Sequence, residues 1–141
     1  MNGLLDTCVI SELAKPRPEP RVVRWIEQQD ESRLYLSVLT LGELYKGIAK
    51  LGPGTRRRKL ERWVDTDLQA RFAQRIVPLD ESVLKAWGNL TGKAELRGRT
   101  CSVMDSLLVA TALVHQLVLV TRNTRHVEGL GATIFDPWSD S

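Results

Sequence analysis

The sequence contains little cysteine and little histidine, with two residues of each among its 141 positions. Cys8 and Cys101 lie far apart and no Cys-x-x-Cys pair is present, which excludes a disulfide framework and a cysteine-based zinc site. His115 and His126 do not make a zinc pair either. We interpret His115 as a structural residue, because the predicted end of a helix favours a cation there.

Long apolar runs are absent as well. No stretch approaches the roughly 20 apolar residues of a membrane-spanning helix, and the amino terminus lacks the basic start and apolar run of a signal peptide. The chain also has no internal repeat, low-complexity segment or linker. We therefore expect a single domain over residues 1–141, located in the reducing cytoplasm and without membrane contact.

Basic residues are in slight excess, with a formal net charge of +3, and they are unevenly distributed. Arg56-Arg57-Arg58-Lys59 form a basic run, and three further arginines lie between positions 17 and 24. Either group can face nucleic acid. The alternative for the basic run is a solvated helix face, because three acidic residues follow it closely.

Strand and helix patterns alternate along the chain. Short apolar runs predict strands at residues 3–5, 34–36, 76–77, 117–120 and 132–135. Helices are predicted after the N-cap residues Asp6, Ser37 and Asp80 and over the ranges 22–26, 55–73 and 105–115. Within them, Val23 and Tyr45 are predicted to face the core. This order favours an α/β fold: a three-layer sandwich with a mostly parallel sheet of four to five strands.

Polar residues follow two of the predicted strands directly. Asp6 comes after the first strand, and Thr121, Arg122 and Asn123 come after the apolar run at 117–120. Ligands of an open α/β sheet bind beyond the carboxyl ends of its strands. Because both strands are predicted to be central, we expect these side chains to be neighbours.

Two further acidic residues are predicted on helices near the same edge. Asp105 opens the apolar helix, where a carboxylate faces the positive end of the helix dipole. Glu43 lies on the helix after Ser37, on a face that it shares with Thr40 and Gly47. Small residues beside an acid indicate that another group packs or binds closely there.

Each acid also has a purely structural interpretation. Asp6 is a common N-cap residue, and Ser102-x-x-Asp105 has the spacing of a capping box before an apolar run. Glu43 can pair with a lysine further along its helix. These interpretations are weaker for the set than for each residue alone, because three distant acids converge on one predicted edge.

Carboxylates that converge repel one another unless a cation compensates their charge. Ligands that are all oxygen select Mg²⁺ or Mn²⁺ over zinc. Such an ion lowers the pKa of bound water and stabilises the charge on a phosphoryl group. The three acids therefore predict phosphodiester hydrolysis.

Motifs of other reaction classes are missing. The sequence has no GxxxxGK[ST], HExxH or GxSxG. A phospho-receiver domain needs an acid beside Asp6 and a lysine after a late strand, and neither is present. A haloacid-dehalogenase-like phosphatase needs Asp-x-Asp after the first strand, where this chain has Asp6-Thr7-Cys8.

Several short motifs, taken in order, resemble the PIN-domain proteins, in particular the VapC-like and FitB-like toxins of bacterial toxin–antitoxin pairs. The resemblance covers essentially the whole chain. Its motifs are Leu4-Leu5-Asp6-Thr7, Val9-Ile10-Ser11-Glu12-Leu13, Ser37 with Glu43-Leu44, the run from Asp105 to Ala112, the run from Val120 to His126, and Phe135-Asp136-Pro137-Trp138.

The resemblance implies an endoribonuclease that depends on Mg²⁺ or Mn²⁺. The family's acids correspond to Asp6, Glu43 and Asp105, which would hold the metal, and its later polar positions correspond to Thr121 and Asn123. The family usually forms homodimers. It is inhibited by a cognate DNA-binding antitoxin whose tail covers the active site, and operator DNA is bound only through that antitoxin.

The chain departs from the family pattern in three places. Cys8 stands where many relatives have asparagine, Asn123 is neutral near a position where many have a fourth acid, and His126 can replace an aspartate. Glu128 is close by in sequence and receives no role. Three acids favour one ion over two. The departures also leave an alternative open: a PIN-like protein of low activity that acts mainly as the antitoxin's partner in promoter regulation.

Overall fold

A five-stranded parallel sheet forms the centre of the protein, as seen in a computed structural model that describes residues 1–139. The strands are β1 (Gly3–Leu5), β2 (Leu34–Ser37), β3 (Ile76–Val77), β4 (Val118–Val120) and β5 (Ile134–Phe135). Their order across the sheet is β3-β2-β1-β4-β5, and all neighbouring pairs are parallel. The predicted parallel α/β fold is confirmed, and β1 lies at its middle beside β4.

Helices connect the strands and cover the sheet. They are α1 (Thr7–Leu13), α2 (Pro20–Gln28), α3 (Val38–Ala49), α4 (Thr55–Arg62), α5 (Gln69–Arg71), α6 (Glu81–Leu96), α7 (Val103–His115) and α8 (Thr124–Val127). The three predicted N-caps are confirmed. Ser37 accepts the Leu39 N–H at 3.0 Å, and Asp80 accepts the Val83 N–H at 3.1 Å. In the described part of the chain, no helix is both long and apolar enough to cross a membrane.

Alternate side chains of the strands supply two cores, one on each face of the sheet. On one face, Leu4 and Leu119 pack with the buried side of α7. On the other face, Leu5, Leu36 and Val120 pack with residues of α1 and α2 and of the helical segment around position 68. With both faces covered, only the ends of the strands are left for polar chemistry.

The segment predicted as a helix over 55–73 is largely helical, but it is not one regular α-helix. After α4, residues Trp63–Leu68 form a π-helical segment that leads into α5. The buried residues Val64, Leu68 and Phe72 recur every fourth position. In a regular α-helix such a stripe drifts by about 40° per repeat. At this drift all three side chains stay on one face of a regular α-helix, so their spacing does not reveal the π turns.

Two predicted core side chains are less buried than expected. Tyr45 is 41% exposed, because its hydroxyl donates to Asp65 at 2.5 Å instead of pointing into the core. Val23 is half-buried.

One helix boundary differs from the prediction. Helix α7 begins at Val103, two residues before Asp105, because Ser102 caps it.

Candidate active site

Asp6 stands at the carboxyl end of the central strand and is 8% exposed. Its N–H donates to the Val120 carbonyl at 2.9 Å, which ties the end of β1 to the end of β4. Its Oδ1 accepts the Thr7 N–H at 2.7 Å and so caps α1. The structural interpretation of Asp6 is therefore confirmed, and it occupies only one of the two carboxylate oxygens.

Thr121 holds the other oxygen of Asp6. This side chain is 1% exposed, and its hydroxyl donates to Asp6 Oδ2 at 2.7 Å. The same hydroxyl oxygen accepts the N–H of Asn123 at 3.0 Å. Thr121 and Asp6 are thus neighbours, as predicted. Asn123 joins them through its backbone, and its exposed side chain makes no hydrogen bond to another described residue.

Glu43 reaches the site across the α1–α3 contact. The Thr7 hydroxyl donates to Glu43 Oε1 at 2.5 Å and lies 3.4 Å from the hydroxyl of Thr40. Glu43 shares this face with Thr40, as predicted. Among residues 1–139 it forms no ion pair with Lys46 or Lys50. The surface-pair interpretation is therefore wrong.

Asp105 lies in the first turn of α7. Its N–H donates to Ser102 Oγ at 3.1 Å, and its side chain is 25% exposed. Asp105 Oδ2 lies 3.7 Å from His126 Nδ1. Thus Ser102 forms its half of the predicted capping box, while the Asp105 carboxylate faces α8.

The predicted site residues therefore form two linked groups. Asp6 joins Thr121 directly and Glu43 through Thr7, whereas Asp105 joins His126. In the part of the chain that the structure describes, no three carboxylate, imidazole or thiol groups are close enough to hold a metal ion by themselves. A metal site shared by all three acids stays a prediction. The acids and threonines of the site can supply carboxylate and hydroxyl oxygens as metal ligands, and such oxygen ligands suit Mg²⁺ or Mn²⁺.

The Cys8 thiol also faces this site. Its Sγ lies 3.6 Å from Asp6 Oδ2 and 3.7 Å from Thr121 Oγ1. Burial and the negative charge of Asp6 raise the pKa of Cys8 to about 11. The thiol is therefore protonated at neutral pH and donates to Asp6.

Arg99 fixes the carboxyl end of α8, the short helix that carries His126. Its guanidinium donates to the Glu128 carbonyl at 2.5 Å and to the His126 carbonyl at 3.4 Å. Only the backbone of Glu128 takes part, and its exposed side chain makes no described contact with the site.

The sequence indicated neither Arg99 nor Thr7 as a site residue. The position of Thr7, directly after Asp6, was the only available signal.

Glu12 is a buried carboxylate that braces the loop after α1. Its Oε1 accepts the Lys15 ammonium at 3.0 Å, and its Oε2 accepts the Glu19 N–H at 3.0 Å. These hydrogen bonds, the Lys15 bond foremost, lower the pKa of Glu12 below its ordinary value of 4.5. Nothing in the sequence predicts this role beyond the presence of Glu12 in the opening motif.

We expect Glu12→Gln to lower the free energy of unfolding by about 1 kcal/mol at pH 7, because the charged hydrogen bond from Lys15 is lost. A depressed pKa stabilises the fold above the unfolded-state pKa, so this contribution disappears as the pH falls below 4.5. Urea unfolding at pH 7 and pH 4 measures both effects. Glu27→Gln is the control, because Glu27 is exposed and forms no hydrogen bond or ion pair through its side chain with another residue of the range 1–139. An equal loss of unfolding free energy in both variants at pH 7 would contradict the proposed role of Glu12 in holding the loop after α1.

Comparison with known proteins places this geometry in a family. Residues 3–129 match the sequence profile of the PIN domain. The chain is 35% identical to Toxin FitB of Neisseria gonorrhoeae over 137 residues, which are 97% of this chain and 99% of FitB. It is 34% identical to a VapC ribonuclease of Sinorhizobium fredii over 135 residues, 96% of each chain.

Solved structures agree with the sequence relatives. The crystal structure of FitAcB from Neisseria gonorrhoeae superposes with a TM-score of 0.90 at 35% identity and covers 96% of this chain and 97% of the other. The structure of FitAB bound to a DNA fragment superposes with a TM-score of 0.92 at 33% identity, over 98% and 96% of the two chains. The chain belongs to the PIN-domain family and is related there to the VapC- and FitB-like toxins.

Proposed function

We propose that this protein is a metal-dependent endoribonuclease and the toxin of a toxin–antitoxin pair. One observation carries the proposal: at the carboxyl edge of a PIN-type sheet, Asp6 is held by Thr121 and linked to Glu43 through Thr7. The VapC ribonuclease and Toxin FitB names of the relatives support the same activity.

The acids would share one Mg²⁺ or Mn²⁺ ion. Asp6 and Asp105 would hold it directly, and Glu43 directly or through water, which suits an ion that keeps several waters. Such an ion, when bound, lowers the pKa of coordinated water and stabilises the charge on the phosphate. The loose grouping of the three acids is compatible with one ion whose remaining contacts are made through water.

The remaining site residues orient the acids and the substrate. Thr121 fixes the carboxylate of Asp6, and Thr7 fixes that of Glu43, so a neighbouring hydroxyl orients each acid. Glu43 Oε2 accepts no described hydrogen bond and is available to receive a proton. The exposed Asn123 side chain is available to contact the scissile nucleotide.

A groove beside Glu43 supports the proposed antitoxin partner. Its volume is about 1090 Å³, and Leu44, Ile48 and Trp63 are among its apolar residues. Arg56 and Lys59 lie on its border, which suits an amphipathic segment with acidic residues. We propose that the tail of a DNA-binding antitoxin lies here, that a homodimer presents two such grooves, and that operator DNA is bound only through the antitoxin.

Incubation of purified, partner-free protein with a panel of labelled RNAs tests the proposed activity. We expect internal cleavage in Mg²⁺ or Mn²⁺ and none in EDTA. An absence of cleavage on every RNA, with tight binding of the antitoxin retained, would favour the alternative of a low-activity partner in promoter regulation. The protonated Cys8 and the neutral Asn123 are the observations that keep this alternative open.

A further inference from the structure

A second cavity adjoins α1 at Glu12, whereas Thr7 and Ser11 of the same helix line the groove beside Glu43. Its volume is about 440 Å³, and its lining includes Lys15, Arg17, Arg122 and Trp138. Arg122 directly follows Thr121, whose hydroxyl holds Asp6. Lys15 lines both this cavity and the groove. The cavity, which we call the Arg122 cleft, therefore adjoins the acidic site.

Two guanidinium groups of the Arg122 cleft have no ion-pair partner at contact distance. Among residues 1–139, neither the Arg17 nor the Arg122 guanidinium forms an ion pair or donates a hydrogen bond, and Arg122 is the weakest of the influences that lower the pKa of Glu12. The acids of the same cleft are already engaged. Glu12 binds Lys15 and the Glu19 N–H, and Glu19 pairs with Arg21 at 3.3 Å. The uncompensated charge of the cleft is positive, so it attracts an anion.

The Arg122 guanidinium has a defined position. It lies 5.4 Å from the centroid of the Trp138 ring, in cation–π contact. The Trp138 carbonyl accepts Arg21 Nη1 at 2.8 Å, and the Trp138 N–H donates to Asp136 at 2.8 Å. Contact with the ring face leaves the five donors of the guanidinium free for an oxygen anion.

The opposite wall of the cleft is also stiff. Pro16, Pro18 and Pro20 restrict the backbone around Arg17, and Glu12 ties this loop down at the Glu19 N–H. Arg17 therefore loses less conformational entropy on binding an anion than it would in a flexible loop. The guanidinium groups of Arg17 and Arg122 line one cleft, and such groups are well suited to bind phosphate oxygens.

We propose that the Arg122 cleft binds a backbone phosphate of the RNA that flanks the phosphate at the acidic site. The proposal rests on the proposed ribonuclease function, because it assigns a position to the substrate of that site. The strand would cross Asp6 with its next phosphate between Arg17 and Arg122. This contact positions the RNA and carries no base specificity.

Binding of RNA to an Asp6→Asn background tests the cleft without cleavage. Fluorescence anisotropy of a labelled single-stranded RNA of mixed sequence, measured over a salt series, gives affinity and salt slope. We expect Arg122→Met and Arg17→Met each to weaken binding about fivefold. Each should also reduce the salt slope by about 0.7, the value for one lost phosphate contact on a single strand. Arg122→Lys should restore the slope, because it keeps the charge.

Arg33→Met is the matched control. Arg33 is an exposed arginine just before the amino end of β2, at the opposite edge of the sheet from Asp6. Losses in the two cleft variants no larger than in Arg33→Met would overturn the proposal, as would unchanged slopes or no RNA binding. Weaker antitoxin binding with RNA binding intact would also overturn it, and would assign the cleft to the protein partner.

The cleavage assay on the unmodified chain keeps the two proposals separable. RNA binding that depends on Arg122, in a chain that cuts no RNA, would support the phosphate cleft while contradicting the nuclease. Cleavage that needs Asp6 but does not change in the Arg122 and Arg17 variants, with unchanged salt slopes, would support the nuclease and contradict the phosphate cleft.

Discussion

We expect the Asp6→Asn variant to cleave RNA at least about 100-fold more slowly than the unmodified chain, because in the proposed site it removes a charged metal ligand that would contribute several kcal/mol. The substitution is also structurally mild. Asparagine caps helices as well as aspartate does, so the hydrogen bond from the Thr7 N–H to Oδ1 can persist. The measurement is the initial rate of cleavage in Mn²⁺, with circular dichroism and urea unfolding as checks on the fold.

Asp80→Asn is the matched control for Asp6→Asn. Asp80 has the same capping role, at the start of α6, where its Oδ1 accepts the Val83 N–H. We expect this variant to retain full cleavage. Equal cleavage by the two variants would mean that Asp6 is only a helix cap, and the carboxylate-centred site would have to be abandoned.

Thr121→Val is expected to have the second largest effect, a loss of about 10- to 100-fold in kcat/KM. Valine nearly preserves the shape of threonine but removes the hydroxyl that holds Asp6 Oδ2 and accepts the Asn123 N–H. We also expect the free energy of unfolding to fall by about 1–3 kcal/mol, because these polar groups lose their partner. Cleavage kinetics and urea unfolding separate the two effects.

Thr121→Ser and Thr111→Val complete this test. Serine keeps the hydroxyl and should restore most of the activity. Thr111 is fully buried, and its hydroxyl donates within α7 to the Leu107 carbonyl, away from Asp6. Thr111→Val should therefore leave kcat/KM unchanged. If Thr121→Val loses stability but keeps full activity, Thr121 supports the fold and does not position Asp6.

Most predictions that depend on local sequence hold, with Tyr45 and Val23 as exceptions. Asp6, Ser37 and Asp80 cap helices because capping joins a side chain to a backbone N–H within three residues. The parallel order of the strands follows from alternating strand and helix patterns. The irregular segment at Trp63–Leu68 was not predicted, because the spacing of its buried residues is also that of a regular α-helix.

The sequence predicted only part of the candidate site, because local patterns do not reveal contacts between helices that are distant in the chain. Asp6 and Thr121 were expected to meet because both follow central strands. The link from Glu43 through Thr7 depends on how α3 packs on α1, and the contact of Asp105 with His126 depends on how α7 packs near α8. Helical spacing gives the face of a residue but not the partner helix that this face meets.

Binding of Mn²⁺ to the purified chain, followed by isothermal titration calorimetry, tests most directly whether Asp6 and its partners form a metal site. We expect one ion for each chain, displaced by excess Mg²⁺, and binding at least about 100-fold weaker in Asp6→Asn. Equal Mn²⁺ affinity in the unmodified chain and in Asp6→Asn, or RNA cleavage that continues undiminished in EDTA, would contradict it.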